Sequence, residues 1–230
     1  MLCELALPPG CRGRNMPQTP TQARGISAPL LEILKSPRVS TPTRTVLRRR
    51  LEGPPADYKP TCITPEAFQI LERVLARLLP EDEDGAPGAN ELSLAARLEQ
   101  QRAAGHGNGW RYASLPPDAQ ALSTGLARLD ESAQHRHRRH FVDLTEDRAD
   151  ALLHRVQNGE EKWEGLDSSR WFEEILADAT ELYVAHPATM DAMGFDGFAD
   201  EPAGWPAHAG GGIGINNTEA WELKGKHRSR

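Results

Sequence analysis

The clearest hydrophobic pattern in the chain lies between Thr64 and Pro80. Thr64 suits an N-cap, Pro65 suits the first helical position, and Pro80 ends the segment. The apolar residues between them recur at steps of three or one, which places them on one stripe of an α-helix. They are Phe68, Leu71, Val74, Leu75, Leu78 and Leu79.

Four further segments show helical spacing of apolar residues. The predicted helices cover about residues 90–104, the stretch after Pro116 and Pro117, the stretch from a cap at Thr145 to Gly159, and the stretch from Ser168 or Ser169 to just before Pro187. No alternating strand pattern and no internal repeat is visible. The sequence therefore predicts an all-α fold of about five helices, in a domain over residues 60–206.

The two ends of the chain differ from this middle part. Residues 1–60 hold 10 of the 18 prolines and a charge of +6, whereas the whole chain carries −6. Such a composition is typical of disorder, so we predict a basic, Pro-rich, disordered arm over residues 1–59. After Pro187 the chain is rich in glycine and aromatic residues, which predicts an extended, loop-rich segment. Residues 207–230 are predicted to be a flexible tail.

Charge and hydropathy exclude some classes of protein. The net negative charge offers no broad cationic surface for nucleic acid. No apolar run approaches the roughly 20 residues of a membrane-spanning helix. The run Arg48-Arg49-Arg50-Leu51 is followed by Glu52 and glycine and prolines rather than an apolar stretch, so we do not interpret it as an export signal. We expect the chain in the cytoplasm, or in the periplasm only if it binds a partner protein whose own signal exports both.

No established catalytic motif is present: the chain has no G-x-S-x-G, no H-E-x-x-H and no P-loop. The segment His135–His140 holds three histidines, which leaves open a small metal-dependent enzyme. Three arginines interleaved with them disfavour a divalent cation. The other alternative is a protein that binds an acidic partner through the basic arm. We predict no catalytic, metal or cofactor-binding residue in this chain.

One group of residues has the character of a protein interface. Tyrosine and tryptophan are frequent interface anchors, and a histidine and a proline stand beside them near the end of the last predicted helix. The predicted interface residues are Tyr183, His186, Pro187, Phe195 and Trp205. The alternative is that they fasten the last loop to the domain's own core. His186 is also expected near a helix C-terminus, where its cation would be favoured.

Several motifs, in order, resemble the gluconate 2-dehydrogenase subunit 3 family. The first covers Thr64 to Pro80 with Asp84 to Ala89, the second Phe141 to Arg148, and the third Trp171-Phe172, Tyr183 to Pro187 and Met193 to Gly197. Glu219 to Glu222 resembles a short tail of some members. The likeness covers roughly residues 60–222.

The resemblance implies a function as an accessory subunit. The chain would be the small, chaperone-like subunit of a hetero-oligomer, bound to a flavin-dependent sugar, polyol or alcohol dehydrogenase of the glucose-methanol-choline type. FAD and the catalytic residues would belong to that large subunit, and this chain would carry no cofactor.

Overall fold

The computed structural model describes residues 26–36, 39–55, 57–81, 85–107 and 112–195. These residues form eight α-helices and one short 3-10 turn, and they contain no strand. The all-α prediction is confirmed. The helices are α1 Ala28–Lys35, α2 Thr41–Glu52, α3 Pro65–Leu78, α4 Leu94–Ala103, α5 Asp118–His137, α6 Glu146–Gln157, α7 Ser168–Val184 and α8 Pro187–Ala192.

The five helices predicted from apolar spacing are α3 to α7. The hydroxyl of Thr64 accepts a hydrogen bond from the N–H of Ala67 at 3.2 Å, as its predicted capping role requires. Gly159 follows α6 with φ +65°, a conformation that favours glycine at a helix stop. Thr145 occupies the N-cap position of α6 but its side chain makes no capping bond there, so the predicted cap is wrong in that detail.

The main core lies among α3 to α7. Helix α7 contacts α4, α5, α6 and α8, and α3 contacts α4, α5 and α6. The largest fully buried side chains include Trp171, Phe141, Leu71, Leu98 and Leu126. Close packing of these side chains gives the domain most of its apolar burial.

The prediction of disorder over residues 1–59 is wrong for α1 and α2. These helices share a small core of their own, formed by Leu30, Leu34, Val39 and Leu47. Arg44 stabilises the turn between them, because its guanidinium donates to the carbonyl oxygens of Leu34, Ser36 and Val39 at 2.7–2.9 Å. Residues 1–25 lie outside the described residues.

The helix pair packs against the far end of the domain. Helix α2 contacts α8, and Met190 of α8 packs on the small core of α1 and α2. The backbone N–H and the hydroxyl of Ser27 donate to the carboxylate of Asp191 at 2.5 and 2.6 Å. Helix α8 itself corrects the expectation of an extended loop directly after Pro187. The rest of that segment, from residue 196, and the predicted tail at 207–230 lie outside the described residues.

None of the helices in the described ranges is both long enough and apolar enough to cross a membrane.

Candidate functional site

A cleft opens where α2, α4 and the end of α7 meet. Its volume is about 270 Å³. The residues that line it are Arg50, Arg97, Gln100, Gln101, His106, Glu181, Leu182, Ala185 and His186. A second cleft of about 480 Å³ lies beside it, next to α2 and the N-terminal end of α4, and shares Arg97 and His186 with the first.

His186 is buried at the wall of both clefts. It is the N-cap of α8, and its Nδ1 accepts a hydrogen bond from the N–H of Ala188 at 3.2 Å. Burial, and then the charge of Arg97, lower the pKa of His186 to about 4, against the opposing effect of a hydrogen bond with the backbone of Arg50. The imidazole is therefore neutral at pH 7. The expectation of a favoured histidine cation at a helix C-terminus is wrong, because this side chain caps the start of the next helix instead.

Arg50 and Arg97 approach each other beside this histidine. Nη2 of Arg97 donates to the carbonyl oxygen of Arg50 at 2.5 Å, and Nε of Arg97 donates to the carbonyl oxygen of Leu92 at 3.0 Å. Nη1 of Arg50 donates to the carbonyl oxygen of Ala185 at 3.1 Å. Burial, and then the charge of Arg50, lower the pKa of Arg97. Two guanidinium groups thus face one cleft.

The predicted interface residues do not form one exposed surface. Tyr183 is half-buried against the main core, and His186 and Pro187 are buried. Phe195 is 44% exposed. Trp205 lies outside the described residues. The assignment of these residues to an interface stays a prediction.

Two other apolar side chains near the end of the described chain are exposed. Val184, the last residue of α7, is 44% exposed, and Met193, just after α8, is 57% exposed. The backbone N–H of Phe195 donates to the carbonyl oxygen of Met190 at 2.8 Å, which holds Phe195 next to α8. We call Val184, Met193 and Phe195 the α7–α8 patch.

The histidine-rich segment His135–His140 covers the last turn of α5 and the residues directly after it. Nδ1 of His140 lies 2.8 Å from the carboxylate of Asp130, which also accepts the N–H of Phe141 at 2.7 Å. Arg136 pairs with the buried carboxylate of Glu161. In the ranges that the structure describes, no three histidine, cysteine or acidic side chains are grouped as a metal site would need.

A buried carboxylate that the sequence reading did not single out joins α4 to the chain before α3. Glu99 is fully buried and accepts hydrogen bonds from the hydroxyl of Tyr58 and from the N–H groups of Thr61 and Cys62, the latter two at 2.5 and 2.6 Å. Burial would raise the pKa of Glu99, but these hydrogen bonds outweigh it and the pKa is lowered. We call these four residues the Glu99 network.

The Glu99 network also changes the pKa of the Cys62 thiol. Burial, and then the hydrogen bond to Glu99, raise the pKa of the Cys62 thiol to about 11, so the reactive thiolate is scarce at pH 7.

The spacing of residues along α4 could have indicated the Glu99 network. Ala95, Glu99 and Arg102 follow at steps of four and three, which puts two charged residues on the buried face of the helix.

The second charged residue on that face, Arg102, forms a buried ion pair. Its guanidinium binds the carboxylates of Asp178 in α7 and Asp118 in α5, the latter at 2.8 Å. Burial raises the pKa of Asp178, and the charge of Arg102 opposes that rise. These three side chains connect α4, α5 and α7, and the buried charges of Arg102 and Asp178 each need the other as a partner to remain buried.

The clefts and exposed side chains described above suit binding. Among the hydrogen bonds between described residues, those of the histidines go to amide, carboxylate or backbone groups, and none of these bonds joins a histidine to a hydroxyl or a thiol as in an activated nucleophile. The two guanidinium groups of the cleft suit an anion. The α7–α8 patch suits an apolar surface.

Comparison with curated proteins and with solved structures gave no match. The family model described as gluconate 2-dehydrogenase subunit 3 matches residues 65–197, more than half of the chain. That range begins at the first residue of α3 and includes α4 to α8. The chain therefore belongs to the gluconate 2-dehydrogenase subunit 3 family.

Proposed function

We propose that this chain is the non-catalytic small subunit that binds and stabilises a flavin-dependent sugar, polyol or alcohol dehydrogenase. The observation that carries the proposal is the family match over residues 65–197. In this scheme FAD, the hydride transfer and the general base belong to the large subunit. The small subunit contributes shape and contact surface, and it resides in the compartment of its partner.

The α7–α8 patch supports this proposal. Methionine and aromatic residues are enriched in protein interfaces, and side chains of this size gain free energy when a partner removes them from water. Val184, Met193 and Phe195 are large apolar side chains at 44–57% exposure. They lie at the ends of the last two described helices, directly before the aromatic-rich segment that includes Trp205.

Co-purification tests the proposal. The tagged chain is co-expressed with a flavin-dependent dehydrogenase of the glucose-methanol-choline type from the same source, and the purified complex is examined for flavin absorbance. We expect a stoichiometric complex that carries flavin, and a large subunit that is less soluble when expressed alone. A stable chain that never associates with that flavoprotein would refute the proposal.

Variants of the patch locate the contact. Met193→Asp and Phe195→Asp each place a charge on the proposed interface, and we expect at least about a tenfold loss of affinity, which corresponds to about 1.4 kcal/mol. Val46→Asp is the matched control, because Val46 is an equally exposed apolar side chain on α2, at 45%. Equal losses in all three variants would contradict a contact at the α7–α8 patch.

A further inference from the structure

We propose that the cleft between α2, α4 and α7 binds a small oxyanion, a carboxylate or a phosphate, between the guanidinium groups of Arg50 and Arg97. This site is independent of the subunit contact proposed above. Arg50 lies on α2, which precedes the matched range 65–197, so the site is formed only when α2 is packed on the domain.

The geometry brings two cations to one concave site. Arg50 and Arg97 are in contact, since Arg97 donates to the backbone carbonyl of Arg50 at 2.5 Å, and both side chains line the cleft of about 270 Å³. Ligand sites for larger molecules usually start at about 300 Å³, so this cleft suits a small ion or a single charged group.

Most donors of the two guanidinium groups remain available. A guanidinium has five N–H donors in a fixed fork. Arg50 donates one hydrogen bond, to the carbonyl of Ala185 just after α7. Arg97 donates two, to the carbonyls of Leu92 and Arg50. These bonds account for the structural roles of both residues without using the rest of either fork. Planar forks of this kind recognise carboxylate and phosphate oxygens in pairs.

The charge of the two arginines is uncompensated within the cleft. No described carboxylate lies within ion-pair distance of Arg50 or Arg97. Glu181 is the one acidic residue of the lining, and it is exposed to solvent, while Gln100, Gln101 and His106 add polar groups. The lowered pKa of Arg97, caused by burial and then by Arg50, is consistent with this repulsion. A bound oxyanion would relieve it and would use the free donors.

Binding is tested on the full chain with inorganic phosphate and with succinate, against sodium chloride at equal ionic strength. Titration calorimetry should show saturable binding of at least one of the two anions by the wild-type protein. Arg50→Gln should weaken it at least tenfold. Arg49→Gln is the matched control, because it removes the same charge from the next, exposed position of α2 and should leave the affinity within twofold. Equal affinities in the two variants, or no saturable binding by the wild type, would overturn the proposal.

A second measurement needs no variant and so does not depend on folding of Arg50→Gln. Phenylglyoxal modifies arginine side chains, and mass spectrometry reports the rate at each position. Phosphate or succinate, whichever binds, should slow modification of Arg50 at least threefold and leave the rate at Arg49 unchanged. Protection that is equal at both positions, or absent at both, would contradict a site at Arg50.

Discussion

Gly125 of α5 lies directly against the indole of Trp171 in α7. A Cβ built at Gly125 would stand well inside 3.0 Å of Nε1, Cε2 and Cδ1 of that ring, a separation that real Cβ atoms essentially never show. The ring also meets Trp163 edge-on, at 5.3 Å between centroids. A residue without a side chain is thus what lets the two longest helices approach with the tryptophan between them.

Gly125→Ala is therefore expected to destabilise the protein, although alanine favours a helix. Overpacking costs about 1–3 kcal/mol or more, and the better helix propensity of alanine returns about 1 kcal/mol. The overlap with the ring places the cost at the upper end of this range, so urea unfolding should show a net loss of about 2 kcal/mol in the free energy of unfolding. Thr124→Ala, at the preceding position of α5, is the control and should be nearly neutral. A more stable Gly125→Ala variant would contradict the contact with Trp171.

Removing the carboxylate of Glu99 should be one of the most damaging changes in the domain. Glu99→Ala leaves the donors of Tyr58, Thr61 and Cys62 without their acceptor, and hydrogen bonds to a charged group contribute about 1.5–3 kcal/mol each. We expect a loss of more than about 3 kcal/mol in the free energy of unfolding. Gln100→Ala, at the next and exposed position of α4, should cost little. Similar losses for both variants would argue against the Glu99 network.

His186 should make the protein less stable in mild acid. Its pKa of about 4 in the folded state lies below the unfolded value of 6.5, so the unfolded chain binds more protons between these values. The stability that depends on neutral His186 is complete above pH 6.5 and is lost as the pH falls towards 4. The largest expected effect is about 3 kcal/mol, since one unit of pKa corresponds to about 1.4 kcal/mol.

Asparagine tests this titration because it keeps a capping acceptor and has no charge to gain. In His186→Asn the free energy of unfolding should vary less between pH 6.5 and 4 than in the wild type. His154→Asn replaces an exposed histidine of α6 and controls for the loss of an imidazole. An unchanged pH dependence in His186→Asn would refute the assignment.

His140 should titrate in the opposite direction. The hydrogen bond to Asp130, and then the charge of Asp130, raise the pKa of His140 above 6.5. Its contribution to stability is therefore present below pH 6.5 and is lost as the pH rises through the folded pKa. NMR titration should find the raised pKa in the wild type and in Glu131→Gln, and a pKa returned towards 6.5 in Asp130→Asn. A raised pKa that survives in Asp130→Asn would contradict this pairing.

The sequence predicted helices α3 to α7 because each buries a stripe of apolar residues against the same core. It did not predict α1 and α2, whose composition is that of a disordered segment. The local signals were nevertheless present: Ser27 and Ser40 each stand two residues before a proline, and both serines cap their helices. No local pattern shows that Arg44 stabilises the turn between α1 and α2, because its three carbonyl partners come within hydrogen-bond distance only after the turn has formed.

The cleft was equally hard to predict. His186 was singled out for its place near a helix end, but its burial depends on α2, which is distant in the sequence. Arg50 appeared as part of the run Arg48-Arg49-Arg50-Leu51, and Arg97 was not singled out. Their approach is a product of tertiary packing, and so is the burial of Glu99. Phe195 is the one predicted interface residue that belongs to the α7–α8 patch, and its role in an interface stays a prediction.

The hydrogen bonds between Ser27 and Asp191 have a consequence for synthesis of the chain. The first two helices leave the ribosome before their docking surface on α8 has been translated, so their final packing has to wait until almost the whole domain has emerged. Until then the small core of Leu30, Leu34, Val39 and Leu47 lacks its cover from Met190. These apolar side chains are therefore an aggregation-prone surface of the nascent chain until Ser27 and Asp191 come together.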